Sequence, residues 1–256
     1  MRRELRFRPL RTVCVLAAAL LGTACTPSSP GLVYATGPGS VTGDGLQRVR
    51  WSQLGAEFVK PGAELAGYDK VLIDPLTISA APTEDKRRMV PVRRYYPTPG
   101  FLAGMRRTYR EMFAKQFTRG GFGVVREPGP GVLRISGHVV DLVLTARLDP
   151  EEQAGSSEFV TSFGDLTLLI DVRDSVRDEP LLRTLDRQPI SRYPLLTRAE
   201  RNSTGANLSA QRDVFGHQAL LLQQEIIELQ RLGTLPAPPA GVAAPPPEPA
   251  PAPGVQ

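Results

Sequence analysis

The sequence predicts a two-layer α+β domain: one mostly antiparallel sheet of about five strands, with two helices packed on one face. Three observations predict it. Leu102, Met105, Tyr109, Met112, Phe113 and Phe117 recur at helical spacing, and so do Phe215, Ala219, Leu222, Ile226 and Leu229. Leu166, Leu168, Ile170 and Val172 alternate with polar residues, as a strand with one buried face requires. The helix patterns lie on either side of a run of strand patterns, so neighbouring strands are expected to pair antiparallel.

The elements follow in chain order. Arg2, Arg3, Arg6, Arg8 and Arg11 make a basic head, and Val13 to Leu21 is almost wholly apolar. An apolar run of roughly ten residues is half of what a bilayer span needs, so it reads as an export signal over 1–24. Leu20-Leu21-Gly22-Thr23-Ala24-Cys25 then resembles a bacterial lipobox, with Gly22 where Leu is usual. In that reading Cys25 becomes the lipidated, palmitate-bearing first residue. In the other, the chain is an ordinary secreted protein cut near Ala24. Thr26 is not the aspartate that retains many such lipoproteins at the inner membrane, which favours the outer membrane.

Residues 25–45 are rich in Gly, Pro, Ser and Thr and read as a flexible tether. Trp51 to Leu54 and Phe58 to Gly62 read as a lead-in segment at the domain edge. Tyr68 to Leu76 is the first strand. Its consecutive Val71, Leu72 and Ile73 suggest cover on both faces, and Pro75 an edge or bulge. Thr98-Pro99 caps the first helix, and Gly120-Gly121 stops it. Phe122 to Arg126 is a short strand. Glu127 to Gly131 is a turn, and Val132 to Leu148 is a long strand with a bulge expected near Gly137-His138. Asp149 to Ser162 reads as loop, and Asp165 to Val172 and Leu181 to Asp186 as a hairpin. Gln188 to Ser209 reads as irregular. The last helix ends at Gly233, and residues 234–256 form a Pro/Ala-rich tail expected to be disordered. The folded domain is therefore expected to occupy 46–233.

The chain has 31 basic and 26 acidic residues, a net charge of +5. Removing residues 1–24 takes away five Arg and one Glu, leaving 26 basic and 25 acidic residues. A nearly neutral mature protein lacks the electrostatic footprint of a nucleic-acid binder. Of the two cysteines, Cys14 leaves with the signal and Cys25 carries lipid, so no disulfide framework or thiolate metal site is expected.

Tyr68-Asp69-Lys70-Val71-Leu72-Ile73-Asp74-Pro75, the Glu127-to-Gly131 turn leading into Val132-Leu133-Arg134, and Asp186-Arg187 before the last helix occur together. In this combination the chain resembles DUF3313, an uncharacterised family of bacterial lipoproteins, over about residues 50–231. The resemblance implies a lipid-anchored envelope protein and supplies no catalytic residues.

Candidate chemistry is sparse. His138 and His217 are the only histidines, and neither has a ligand or triad partner at close spacing. Asp171, Asp174, Asp178 and Glu179 do not have the spacing of a calcium loop and read as a solvated turn. Asp69 and Asp74 flank the first strand and read as turn and cap residues. The strongest remaining signal is basic: Lys86, Arg87, Arg88, Arg93 and Arg94 in an insertion, with Arg106 and Arg110 four apart on the first helix. Such a patch suits an anionic surface, at about 1 kcal/mol per basic residue, and equally suits a solvated face.

The expected function is a non-enzymatic binding or structural module at the periplasmic face of the outer membrane. Its expected partners are the membrane, through the anchor, and an envelope protein. No cofactor, metal or nucleic acid is expected. The alternative is a periplasmic hydrolase or small-ligand carrier built around a pocket not visible in the sequence.

Overall fold

The computed structural model describes residues 31–79, 95–147, 158–192 and 199–238. Cys25, the signal, Lys86, Arg87, Arg88, Arg93 and Arg94 lie outside the described residues, as do 148–157 and 239–256. The described residues from Leu32 onward form one compact unit.

Ten strands and two helices make up the described chain: β1 (Gln47–Arg48), β2 (Ala56–Val59), β3 (Lys70–Ile73), β4 (Thr77–Ile78), α1 (Pro99–Arg119), β5 (Gly123–Val125), β6 (Val132–Leu144), β7 (Phe159–Val160), β8 (Gly164–Asp174), β9 (Pro180–Pro189), β10 (Glu200–Arg201) and α2 (Thr204–Arg231). The class is α+β, as expected. The sheet is larger and mixed: eight strands in the order β1-β2-β9-β8-β6-β3-β5, with β4 beside β6. β3 runs parallel to both β5 and β6, because α1 carries the chain from β3 back to the starting end of the sheet. Strands of two to four residues carry too little periodicity to be read, which is why β1, β2 and β4 were missed and five strands were expected rather than eight. β7 and β10 form a separate small ribbon within stretches that read as loop or irregular.

Several local expectations hold. Thr98 caps α1 by accepting from the Phe101 amide (3.2 Å), with Pro99 following. β8 alternates buried and half-buried along its whole length. β8 and β9 form the predicted antiparallel hairpin. The long strand bulges between Val139 and Asp141, a few residues past the expected Gly137-His138. Pro75 separates β3 from β4. Leu72 is only half-buried, so the outer sheet face is not covered as the apolar run had suggested.

α1 and α2 pack on each other and share one core with the sheet. Tyr109, Phe113, Phe117 and Phe215 are fully buried, and Tyr109 meets Phe215 edge-on at 5.8 Å. Gly137 makes the close approach possible. A Cβ there would lie 2.7 Å from the Tyr109 ring. α2 begins at Thr204, capped by Ser203, well before the stripe that revealed it. Its first turns bury Asn207, Ala210 and Gln211, and two buried amides disguise a core-facing side.

Packing extends past the expected 46–233 limits at both ends. Tyr34 is buried, and its hydroxyl donates to the Pro236 carbonyl (2.7 Å). Leu235 is 2 % exposed and its amide donates to the Ala63 carbonyl. The low-complexity flanks hid two single anchoring residues.

Candidate functional site

Strand register places Gly137, Ile170, Thr184 and Glu57 in one row across β6, β8, β9 and β2. The row faces the helices: Tyr109 of α1 stands over Gly137, and Glu225 of α2 stands by Glu57. One end of this core row is thus a carboxyl. Glu57 is 0 % exposed, and neither of its oxygens meets a donor at hydrogen-bonding geometry. Thr184, directly opposite on β9, has an equally unpartnered hydroxyl. Gln218 on α2 donates to Asp186 (2.7 Å) and leaves its own carbonyl oxygen unpartnered. Buried acceptors without donors cost free energy, about 1–3 kcal/mol each. A concentration of them at one seam therefore has a chemical meaning.

Burial pushes the Glu57 carboxyl up to about 8, and the neighbouring charge of Glu225 adds to the rise. Ser52 is close enough to act in the opposite direction, and its effect is the weaker one. Glu225 is also raised, chiefly by burial. Near neutral pH the pair therefore holds a proton on Glu57. Glu225 is only half-buried and forms part of the wall of a cavity of about 490 Å³ between the segment before β2 and the outer turns of α2. Gln53, Leu54, Gln224, Glu228 and Arg231 also line it. Arg231 pairs with Glu228.

The other candidates are committed elsewhere. Ser136 donates to Asp74 Oδ2 (2.7 Å), which also accepts from Arg134 Nε (2.8 Å). His138 pairs with Thr77 Oγ1 through Nδ1 (2.5 Å). Ser136 and His138 lie two apart on one strand face, yet each turns to a different partner, so they do not act as nucleophile and base. Asp171 and Asp44 both hold Arg183, at 2.6 and 2.8 Å. Asp174 closes the β8–β9 turn by accepting from the Val176 and Arg177 amides and from the Tyr68 hydroxyl (2.7 Å). The bonds to those amides and to Tyr68 hold its carboxyl below the usual range despite partial burial. His217 is exposed, beside Arg212 and Asp213 on a groove between the two helices; the charged side chains rimming it are all exposed. Arg106 and Arg110 are exposed on α1. Among the described residues, no group of three or more metal-binding side chains is placed to hold an ion.

The residues behind the family resemblance are ties. Tyr68 joins the first strand to the β8–β9 turn, and Asp74 joins it to β6. Asp186 joins β9 to α2, with Gly55 at φ +69° passing so close that a Cβ would lie 2.8 Å from its carboxyl. Sequence reasoning missed Glu57, since a lone Glu in Ala56-Glu57-Phe58-Val59 looks like an exposed edge position. The only available signal was Phe58 in the alternate register, a half-buried residue on the outer face.

The fold is thus an α+β domain with a helix-covered sheet face and a buried carboxyl, Glu57, beside the half-buried Glu225 of its last helix. The chain belongs to the family described as protein of unknown function, DUF3313, whose profile matches residues 41–194. That match stops short of α2. No curated protein matches. Among solved structures, the PelC dodecamer of Paraburkholderia phytofirmans is similar, at 12 % identity over 65 % of this chain and 96 % of that one, TM-score 0.34. A Xanthomonas campestris protein of the DUF330 family shows 12 % identity over 67 % and 89 %, TM-score 0.34. A Caulobacter crescentus protein provisionally described as a lipoprotein shows 8 % identity over 66 % and 93 %, TM-score 0.32. Likenesses this distant say nothing about activity.

Proposed function

We propose that this chain is a lipid-anchored envelope lipoprotein, held through Cys25 at the periplasmic face of the outer membrane, and that it binds or supports a partner rather than catalysing a reaction. The observation that carries the anchoring is the basic head and short apolar run leading into small residues and Cys25. Among the described residues no helix is long and apolar enough to cross a membrane, which is compatible with attachment by lipid. Binding rather than catalysis is supported by the commitment of Ser136, His138 and Asp74 to structural pairs. It is supported too by an outer sheet face that leaves Leu72 and Leu169 half-exposed and Leu185 39 % exposed. The cavity beside Glu225 favours the small-ligand form of binding as the second reading.

Cys25→Ser should abolish labelling by radioactive palmitate and move the protein from the outer-membrane density fraction to the soluble one, or leave an uncut precursor. Unchanged processing and fractionation would remove the anchor. Arg106 and Arg110 supply an anionic-surface contact in this reading. Arg106→Gln with Arg110→Gln should weaken association of the purified protein with vesicles containing anionic lipid and leave neutral vesicles unaffected. Equal association by the variant and the unaltered protein would return these arginines to a solvated face.

A further inference from the structure

We infer that the cavity between the segment before β2 and the outer turns of α2 is a binding site for an organic cation, an ammonium or guanidinium group, received by the Glu57–Glu225 carboxyl pair. The inference rests on the binding-module reading and names the chemistry of what is bound. Four observations carry it. First, the pair sits at the cavity wall: Glu225 lines it, and Glu57 faces Glu225 from the fully buried side of β2. Second, the seam behind the pair is poor in partners: the Thr184 hydroxyl and the Gln218 carbonyl have none, and the Glu57 carboxyl has only Ser52 and Glu225 beside it. Third, the charge is one-sided. Glu225 and Glu228 line the cavity with a single guanidinium, Arg231, which Glu228 already holds. Fourth, about 490 Å³ is the size of a small-molecule pocket and exceeds what a bare ion needs.

A metal is the wrong occupant. Among the described residues no three ligating side chains converge. A cationic nitrogen suits the site better, because its N–H groups can reach separate acceptors: a carboxylate on Glu225 and the amide oxygens of Gln53 and Gln224, both of which line the same space. Arrival of a positive charge beside the pair favours its ionised form, so binding expels the proton held at Glu57. Affinity should therefore rise as pH climbs toward the point where Glu57 loses its proton unaided.

The cation has two possible sources, a free amine or a basic side chain of a partner. Calorimetry on the full chain distinguishes them with four probes: cadaverine against 1,5-pentanediol, and a blocked Gly-Lys-Gly peptide against the same peptide with norleucine. Binding of either cation without its neutral counterpart is expected, with up to one proton released per site, read from two buffers of different ionisation enthalpy. Glu57→Gln and Glu225→Gln, each verified by its melting curve at pH 6, should weaken that binding at least tenfold, and Glu57→Gln should abolish the proton release. Tighter binding of the lysine peptide identifies a partner's side chain, and tighter binding of cadaverine a free amine. No heat with either cation at millimolar concentration, equal binding of cation and neutral probe, or affinity indifferent to both substitutions would overturn the inference. If Cys25-dependent attachment survives that failure, the anchored binding module stands without this site. If attachment fails while the cation binds, the site stands without the anchor.

Discussion

Replacing Glu57 by glutamine tests the central feature of the core with little change of shape. The glutamic acid has an ordinary value of 4.5 and is raised to about 8 in the fold, first by burial and then by the charge of Glu225. A raised carboxyl means the folded state keeps its proton where the unfolded chain has lost it. The stabilisation is fully present below pH 4.5 and declines as pH rises through 8. Each pH unit in that window costs about 1.4 kcal/mol, so the whole window spans roughly 3–5 kcal/mol. That is a large part of the 5–15 kcal/mol typical of a domain. Urea unfolding of the full chain at one-unit steps from pH 5 to pH 9 measures it. The unaltered protein should lose stability steadily from pH 5 to about pH 8 and level off above it. Glu57→Gln should match it within about 1 kcal/mol at pH 5, lose most of the slope, and be the more stable form at pH 8. Parallel curves for the two proteins would show that Glu57 ionises freely and that the seam is solvated.

Three further substitutions probe the packing around this seam. Leu222→Ala or Ile226→Ala removes a fully buried side chain from α2 and should cost about 2–5 kcal/mol, seen as a sharply lower melting temperature at high dilution; retention of stability with loss of a partner would make α2 an interface helix. Gly137→Ala forces a methyl group into the Tyr109 ring and should destabilise by about 1–3 kcal/mol in the same melt, whereas an unchanged melt would mean that Tyr109 has room to move.

Much of this architecture was legible because it is written in periodicity. The apolar stripes of α1 and α2 and the alternation of β8 come from local geometry, in which every third or fourth residue, or every second, must leave water. The caps at Thr98 and the stop at Gly120-Gly121 are equally local. The reading of residues 1–24 as an export signal ending at Cys25 rests on short-range composition alone. What it did not reveal depends on long-range partners. The strands of two to four residues at the sheet edges are held by hydrogen bonds to neighbours far along the chain, so their own residues carry almost no pattern. Tyr34 and Leu235 are single anchors inside low-complexity flanks, and the Tyr34 hydroxyl reaches the Pro236 carbonyl 202 positions away. Glu57 is the clearest case. A glutamate near the edge of a sheet is ordinarily wet, and only the register of β2 on β9 turns it inward, while only the passage of α2 overhead covers it beside Glu225. The sequence decided which residues prefer to be buried. The tertiary structure decided which polar group is buried with them, because desolvation depends on everything packed around a residue and not on its neighbours in the chain.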